Sequence, residues 1–132
     1  MKKVAKVILY KKGKVLLQLR DNKSNIPFPN QWSLFGGLIE ENETAKDCII
    51  REIEEELGTK LRNLIFIGKQ TRKENEKIVE DNLFSAEIIK ETSKLELHEG
   101  SKMQLFSFEE LNKIDIVEHY KKYLIDFLRD NN

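Results

Sequence analysis

Three glutamates, Glu52, Glu55 and Glu56, stand at spacings of three and four between a glycine pair, Gly36-Gly37, and a single glycine, Gly58. No proline or glycine interrupts residues 44–57, Asn42 and Thr44 are available as caps, and Gly58 is placed to end a helix there. At about 100° per residue, Ile49, Ile53, Leu57 and Ile50 form an apolar stripe expected to face a core, and the three glutamates form the stripe beside it, with Glu54 pointing away from both. Carboxylates so grouped repel one another. A hard divalent cation relieves that repulsion, because it binds several oxygens at once. Eight acidic residues crowd residues 40–56, opposed only by Lys46 and Arg51. A charge run of this kind by itself is a solvated face, so the metal reading depends on the residues around it.

Those residues form an ordered pattern. Gly37 is followed after five residues by Glu43, and after seven more by Arg51-Glu52-Ile53-Glu54-Glu55-Glu56-Leu57-Gly58-Thr59. This resembles the Nudix hydrolase signature, G-x5-E-x7-R-E-U-x-E-E-x-G-U, with U a bulky aliphatic residue. Only the last position departs, where Thr59 stands for the aliphatic residue, a matter of packing rather than chemistry. The run Trp32-Ser33-Leu34-Phe35-Gly36-Gly37 is similar to the strand and loop that precede this signature, with Phe35 where many members carry proline. His98-Glu99-Gly100 is similar to an acidic loop of small MutT-like members.

The resemblance implies cleavage of a nucleoside diphosphate linked to another group, by water, with Mg²⁺ or Mn²⁺ as cofactor. It assigns Glu52, Glu55 and Glu56 as metal-binding carboxylates, the Gly36 carbonyl as an added ligand and Glu99 as a further one. Glu52 is the first candidate for the base that activates water, and Glu99 the second. Arg51 and Glu43 match a salt bridge that aims the carboxylates. Arg20 is a candidate phosphate contact. Phe28, Trp32 and Phe35 are candidates for stacking on a base, each with a core role as the alternative. The implied fold is α+β, an α/β/α sandwich with a mixed β-sheet between helices.

A chain of 132 residues suits one domain spanning residues 1–132. With 23 basic against 23 acidic residues, it lacks the basic excess of a nucleic-acid or anionic-membrane binder. The acidic segment carries eight acids less two bases, so the rest of this neutral chain carries six net positive charges, a balance suited to phosphates bound through cations. The single Cys48 lacks an internal disulfide partner, and its default role is a small buried hydrophobe. The absence of a signal-like start or an apolar run near twenty residues gives a cytoplasmic expectation.

Along the chain, residues 4–10 and 15–20 predict a hairpin turning at residues 11–14. Residues 21–31 read as a polar loop, 31–35 as a short strand and 36–37 as a glycine loop. A strand is expected within 61–70, a charged turn at 71–77 and a longer strand at 78–89, with Leu83, Phe84, Ala86 and Ile88 buried. Residues 103–106 read as a strand, Ser107 as the cap of a helical turn, and 115–129 as an amphipathic helix.

The small size favours a MutT-like enzyme converting a (deoxy)nucleoside triphosphate to the monophosphate and pyrophosphate. A nucleotide-sugar, ADP-ribose or dinucleotide hydrolase is the enzymatic alternative. A non-catalytic nucleotide-binding module is the alternative of another class, and an acidic helix without metal is a third. The expected partner is a small-molecule nucleotide, with no nucleic-acid polymer and no membrane, in a monomer or homodimer.

Overall fold

The computed structural model describes residues 1–98 and 100–130. Strands β1 (Lys2–Lys11) and β2 (Lys14–Leu19) form the expected hairpin. Lys12 and Gly13 connect them with positive φ angles of 50° and 78°. A two-residue turn of that hand matches the twist of paired strands. The chain continues through β3 (Trp32–Ser33), β4 (Phe35–Leu38), α1 (Ala45–Leu57), β5 (Leu61–Glu74) and β6 (Lys77–Ile88), then β7 (Lys102–Phe106), the short α2 (Phe108–Leu111) and α3 (Glu118–Asp130).

The sheet runs β3-β2-β1-β6-β5, with β4 also beside β1 and β7 beside β2. β1 lies parallel to β6 over its length and antiparallel to β2 and β4, so the sheet is mixed. Because side chains alternate along a strand, β1 feeds two cores. Ala5, Val7 and Leu9 pack with Ile49, Ile53 and Leu57 of α1. Ile8 packs on the other face with Tyr120, Leu124 and Leu128 of α3. The expected α/β/α sandwich is present.

Helix α1 starts and stops where its local chemistry dictates. Thr44 Oγ1 accepts from the Asp47 amide at 3.0 Å, and Asp47 Oδ2 accepts from the Thr44 amide in return at 3.4 Å. Gly58 closes the helix in the left-handed region at φ 62°. Burying Ile49, Ile53 and Leu57 completely stabilises the helix by roughly 1.5–3 kcal/mol per side chain. That packing outweighs the few tenths of a kcal/mol by which each like-charge pair opposes it.

Three expectations need correction. Gly36-Gly37 is not a loop: it lies in β4, paired with Lys6 and Ala5 of β1. Its partner strand is thirty residues away in sequence, so local turn propensity pointed the wrong way. Ile50 is 53 % exposed rather than core, because the sheet covers α1 through Ile49 and Ile53. Residues 71–74 continue β5, and the turn is confined to Asn75 and Glu76. Among the described residues, no helix is long and apolar enough to cross a membrane.

Candidate active site

Arg51 organises the carboxylates of α1. Its Nε and Nη2 donate to the two oxygens of Glu43 at 2.8 and 3.0 Å, the planar two-point pairing that suits a guanidinium. Nη2 also donates to the Leu38 carbonyl at 3.2 Å, tying the helix to the end of β4. Nη1 reaches Glu52 Oε1 at 3.0 Å and Glu55 Oε2 at 3.4 Å. The Arg51 hydrogen bond, then that of the Glu40 amide, pull the Glu43 carboxyl down to about 2. The same Glu43 contact, opposed by burial, raises the Arg51 pKa.

The three glutamates differ in setting. The side chain of Glu55 is 60 % exposed and that of Glu52 15 %. Glu56 is buried, and its backbone carbonyl accepts from the His98 amide at 3.0 Å. Two carboxylate oxygens, from Glu52 and Glu55, already meet on one cationic atom, Arg51 Nη1. A donor set of closely spaced oxygens converging on positive charge fits a hard dication. Among the described residues, no three His, Cys, Asp or Glu side chains are yet closed around one point. Glu99, assigned as a further ligand and second base, lies outside the described residues.

The glycine pair brings this cluster to the sheet. A Cβ on Gly37 would stand 2.4 Å from Glu52 Oε1, so glycine lets the carboxylate lie against β4. Gly36, at φ 143°, sits so close to β1 that a Cβ would meet the Ala5 carbonyl oxygen at 2.1 Å. Both glycines also line a cleft of about 290 Å³. Lys2 and Lys6 of β1, with Arg20 and Arg72, give that cleft positive charge, opposed by Glu74. Phe28, with φ 51°, lines it from the loop after β2.

The cleft draws in some sequence candidates and leaves others in the core. Arg20 and Phe28 line it, and Arg20 Nε is held by the Pro27 carbonyl at 2.8 Å. Trp32 and Phe35 do not line it. Trp32 is buried edge-on to Phe106 in the core beneath α3. Phe35 is fully buried on the α1 side. Both have the core role, because the side chains of the strand run through residues 32–35 are covered by the two helices. Cys48 is buried with Sγ 3.3 Å from the Leu38 carbonyl. Burial first, and the Glu43 charge second, push its thiol up to about 12, so it is no nucleophile.

Sequence reasoning missed the far wall, formed by Arg72 and Glu74 of β5 and His119 and Tyr120 of α3. Asp81 of β6 lies beneath it with no exposure. Asp81 accepts from Arg72 Nε at 2.7 Å, Gln70 Nε2 at 3.0 Å and Tyr120 Oη at 3.0 Å. Burial, then repulsion from Arg72, lower the His119 pKa to about 4. One signal was available: Glu80, Asp81 and Asn82 form a polar run in the middle of β6, between Val79 and Leu83.

The NUDIX domain profile matches residues 2–127. The MutT protein of Methanosarcina mazei Go1 superposes with a TM-score of 0.82, covering 99 % of this chain and 95 % of that one at 21 % identity. The nucleoside triphosphatase NudI of Escherichia fergusonii is 56 % identical over 34 residues, 26 % of this chain and 24 % of NudI. The NAD-capped RNA hydrolase NudC of Pseudomonas aeruginosa is 31 % identical over 64 residues, 48 % of this chain but only 22 % of NudC. The chain therefore matches about a quarter or less of the length of these two curated relatives. With the profile covering nearly its whole length and the carboxylate helix seated against the glycine strand, the chain belongs to the Nudix hydrolase family.

Proposed function

We propose that this protein hydrolyses a (deoxy)nucleoside triphosphate to the monophosphate and pyrophosphate, with Mg²⁺ or Mn²⁺ held by Glu52, Glu55, Glu56 and the Gly36 carbonyl. One observation carries this reading: Glu52 of α1, joined to Glu55 through Arg51, adjoins through Gly37 a cleft bearing four cationic side chains and one carboxylate. When bound, the dication neutralises phosphate charge and lowers the pKa of a coordinated water.

The chain's own residues supply the rest. Lys2, Lys6 and Arg20 offset the charge of the phosphates, since phosphoryl transfer depends chiefly on electrostatics and positioning. Arg51, clamped by Glu43 and Leu38, aims Glu52 and Glu55. Glu52 takes the proton of the attacking water. The water oxygen joins phosphorus, the bridging P–O bond breaks, and pyrophosphate leaves. Glu99 remains the second candidate for that base.

The cleft volume of about 290 Å³ stands at the bottom of the roughly 300–1,000 Å³ range of small-molecule sites. That suits one nucleoside better than two, and favours a triphosphate over a dinucleotide. The test is a panel of nucleoside triphosphates, nucleotide sugars, ADP-ribose, NAD and dinucleoside polyphosphates, assayed with each metal for phosphate and pyrophosphate. Pyrophosphate from a triphosphate is expected. Release from dinucleotides or nucleotide sugars alone would move the assignment to the other enzymes, and no release from any substrate would favour a binding module.

A further inference from the structure

The far wall of the cleft is built more rigidly than phosphate binding requires. Arg72 gives Nε and Nη2 to Asp81 and Nη1 to Glu74. Among the described residues, three of its five N–H groups are thereby engaged, which leaves two for a ligand. Asp81, without exposure, also takes hydrogen bonds from Gln70 and Tyr120, so the guanidinium is fixed from below. Arg72 and Glu74 are two apart on β5, so both side chains lie on one face of the strand. Each is only 15 % exposed. Burial disfavours the charge on Glu74, but the contacts with Arg72 outweigh it and hold the carboxyl below its usual range. The wall thus offers a fixed donor next to a fixed acceptor.

His119 completes the wall. Its ring stands edge-on to Phe28 at 5.1 Å and to Tyr120 at 4.2 Å. Its Nε2 is buried without a hydrogen-bond partner among the described residues. A buried polar nitrogen left unpaired is costly, and a ligand group that meets it recovers that cost. At neutral pH the ring is uncharged, so it contributes one N–H and one lone pair rather than another phosphate-binding cation.

We propose that Arg72, Glu74 and His119 are base-selecting residues, which read the hydrogen-bonding edge of a nucleobase lying beside Phe28. This inference rests on the nucleotide hydrolase reading of the same cleft. The uncommitted Arg72 N–H groups require an acceptor and are best met by a carbonyl oxygen. Glu74 requires an N–H or amino group. Guanine, cytosine, uracil and thymine carry both groups. Adenine has no carbonyl and leaves the Arg72 donors less well paired. The wall therefore selects oxo-bases over adenine.

The test is calorimetric binding of GMP, CMP, UMP and AMP to the wild-type chain, to Glu74→Gln and to His119→Phe, without metal. A parallel measurement takes kcat/KM for the four triphosphates with Mg²⁺. The wild type is expected to favour at least one oxo-base over adenine by about tenfold or more, less than the roughly 10⁴-fold of sites whose polar group is left wholly unpaired, because the ring nitrogens of adenine still accept. Each variant should bring that ratio to within about threefold while its melting transition stays cooperative. His119→Phe keeps the aromatic contact, and Glu74→Gln keeps the side-chain shape, so one folded variant is enough. An adenine preference, or an unchanged ratio in a folded variant, overturns the proposal. Selective binding with no turnover of any triphosphate would instead sink the hydrolase reading and leave base selection standing.

Discussion

The molecule clamps two arginines with carboxylates, and the two clamps are built in different ways. Arg51 draws on Glu40, Glu43, Glu52 and Glu55, each within eleven residues of it and on or beside α1. Arg72 draws on Glu74 of its own strand and, from the neighbouring strand, on Asp81, which is in turn held by Tyr120 from α3. In the first clamp, Glu40 and Glu55 are more than half exposed, and water shares the work. In the second, Asp81 is wholly buried and every lost hydrogen bond leaves a charge in the interior. The local clamp orients the α1 carboxylates and, on the proposed function, would rearrange around a cation. The long-range clamp supports a wall and cannot move without loosening the sheet and α3 together.

Removing one partner of the buried pair breaks that comparison most forcefully. Asp81→Ala leaves Arg72 with Glu74 alone as its carboxylate partner and strips the acceptor from its Nε and Nη2, with an expected loss of about 3 kcal/mol in stability, read from denaturant unfolding. A loss near that of an exposed pair would mean the two clamps are equivalent. In the α1 cluster the cost should fall on chemistry instead. Glu55→Gln or Glu56→Gln should lower turnover by about a hundredfold or more while the fold persists, since the change weakens cation capture but relieves repulsion. Wild-type rates in both variants would remove these glutamates from the site.

Arg51→Ala sits between these cases. It should cost roughly 10–100-fold in activity, as loss of an orienting partner does, and lower the melting temperature through the pair with Glu43. A variant unharmed in both respects would dismiss the clamp. Thr44→Ala, which removes only the cap of α1, should cost about 1 kcal/mol and leave kcat nearly unchanged.

The two regions also titrate in different windows. His119 ionises at about 4 in the folded chain against 6.5 ordinarily, so the unfolded state binds more protons between those values. Its contribution to stability is full above 6.5 and is lost as pH falls towards 4. Glu43, held at about 2 against 4.5, loses its contribution over that lower window. Melting temperature against pH should therefore fall in two stages, and His119→Phe should remove the upper one alone. Persistence of the upper stage in that variant would assign it to another group.

What could be read from the sequence follows the same division. Helix α1, expected over residues 44–57 and found as Ala45–Leu57, has its signals in its own residues: Thr44, Asp47, Gly58 and the buried Ile49, Ile53 and Leu57. Arg51 and Glu43 meet because seven intervening residues bring them together on one element and its approach. Gly36-Gly37 was misread because its conformation is set by β1. The far wall was missed because Arg72, Asp81 and His119 become neighbours only when β5, β6 and α3 assemble. Trp32 and Phe35 were ambiguous for a related reason: an aromatic side chain next to a glycine strand shows which face it takes only once the sheet has formed.

The central claim is that the α1 glutamates hold dications against a phosphoric anhydride beside Gly37. Anomalous diffraction from a crystal soaked in Mn²⁺ and a non-hydrolysable nucleoside triphosphate analogue tests it most directly. Anomalous peaks within coordinating distance of Glu52, Glu55 and Glu56, with the phosphates against them and the base beside Phe28 and His119, are expected. Mn²⁺ and phosphates bound elsewhere, with those glutamates still paired to Arg51, would contradict it.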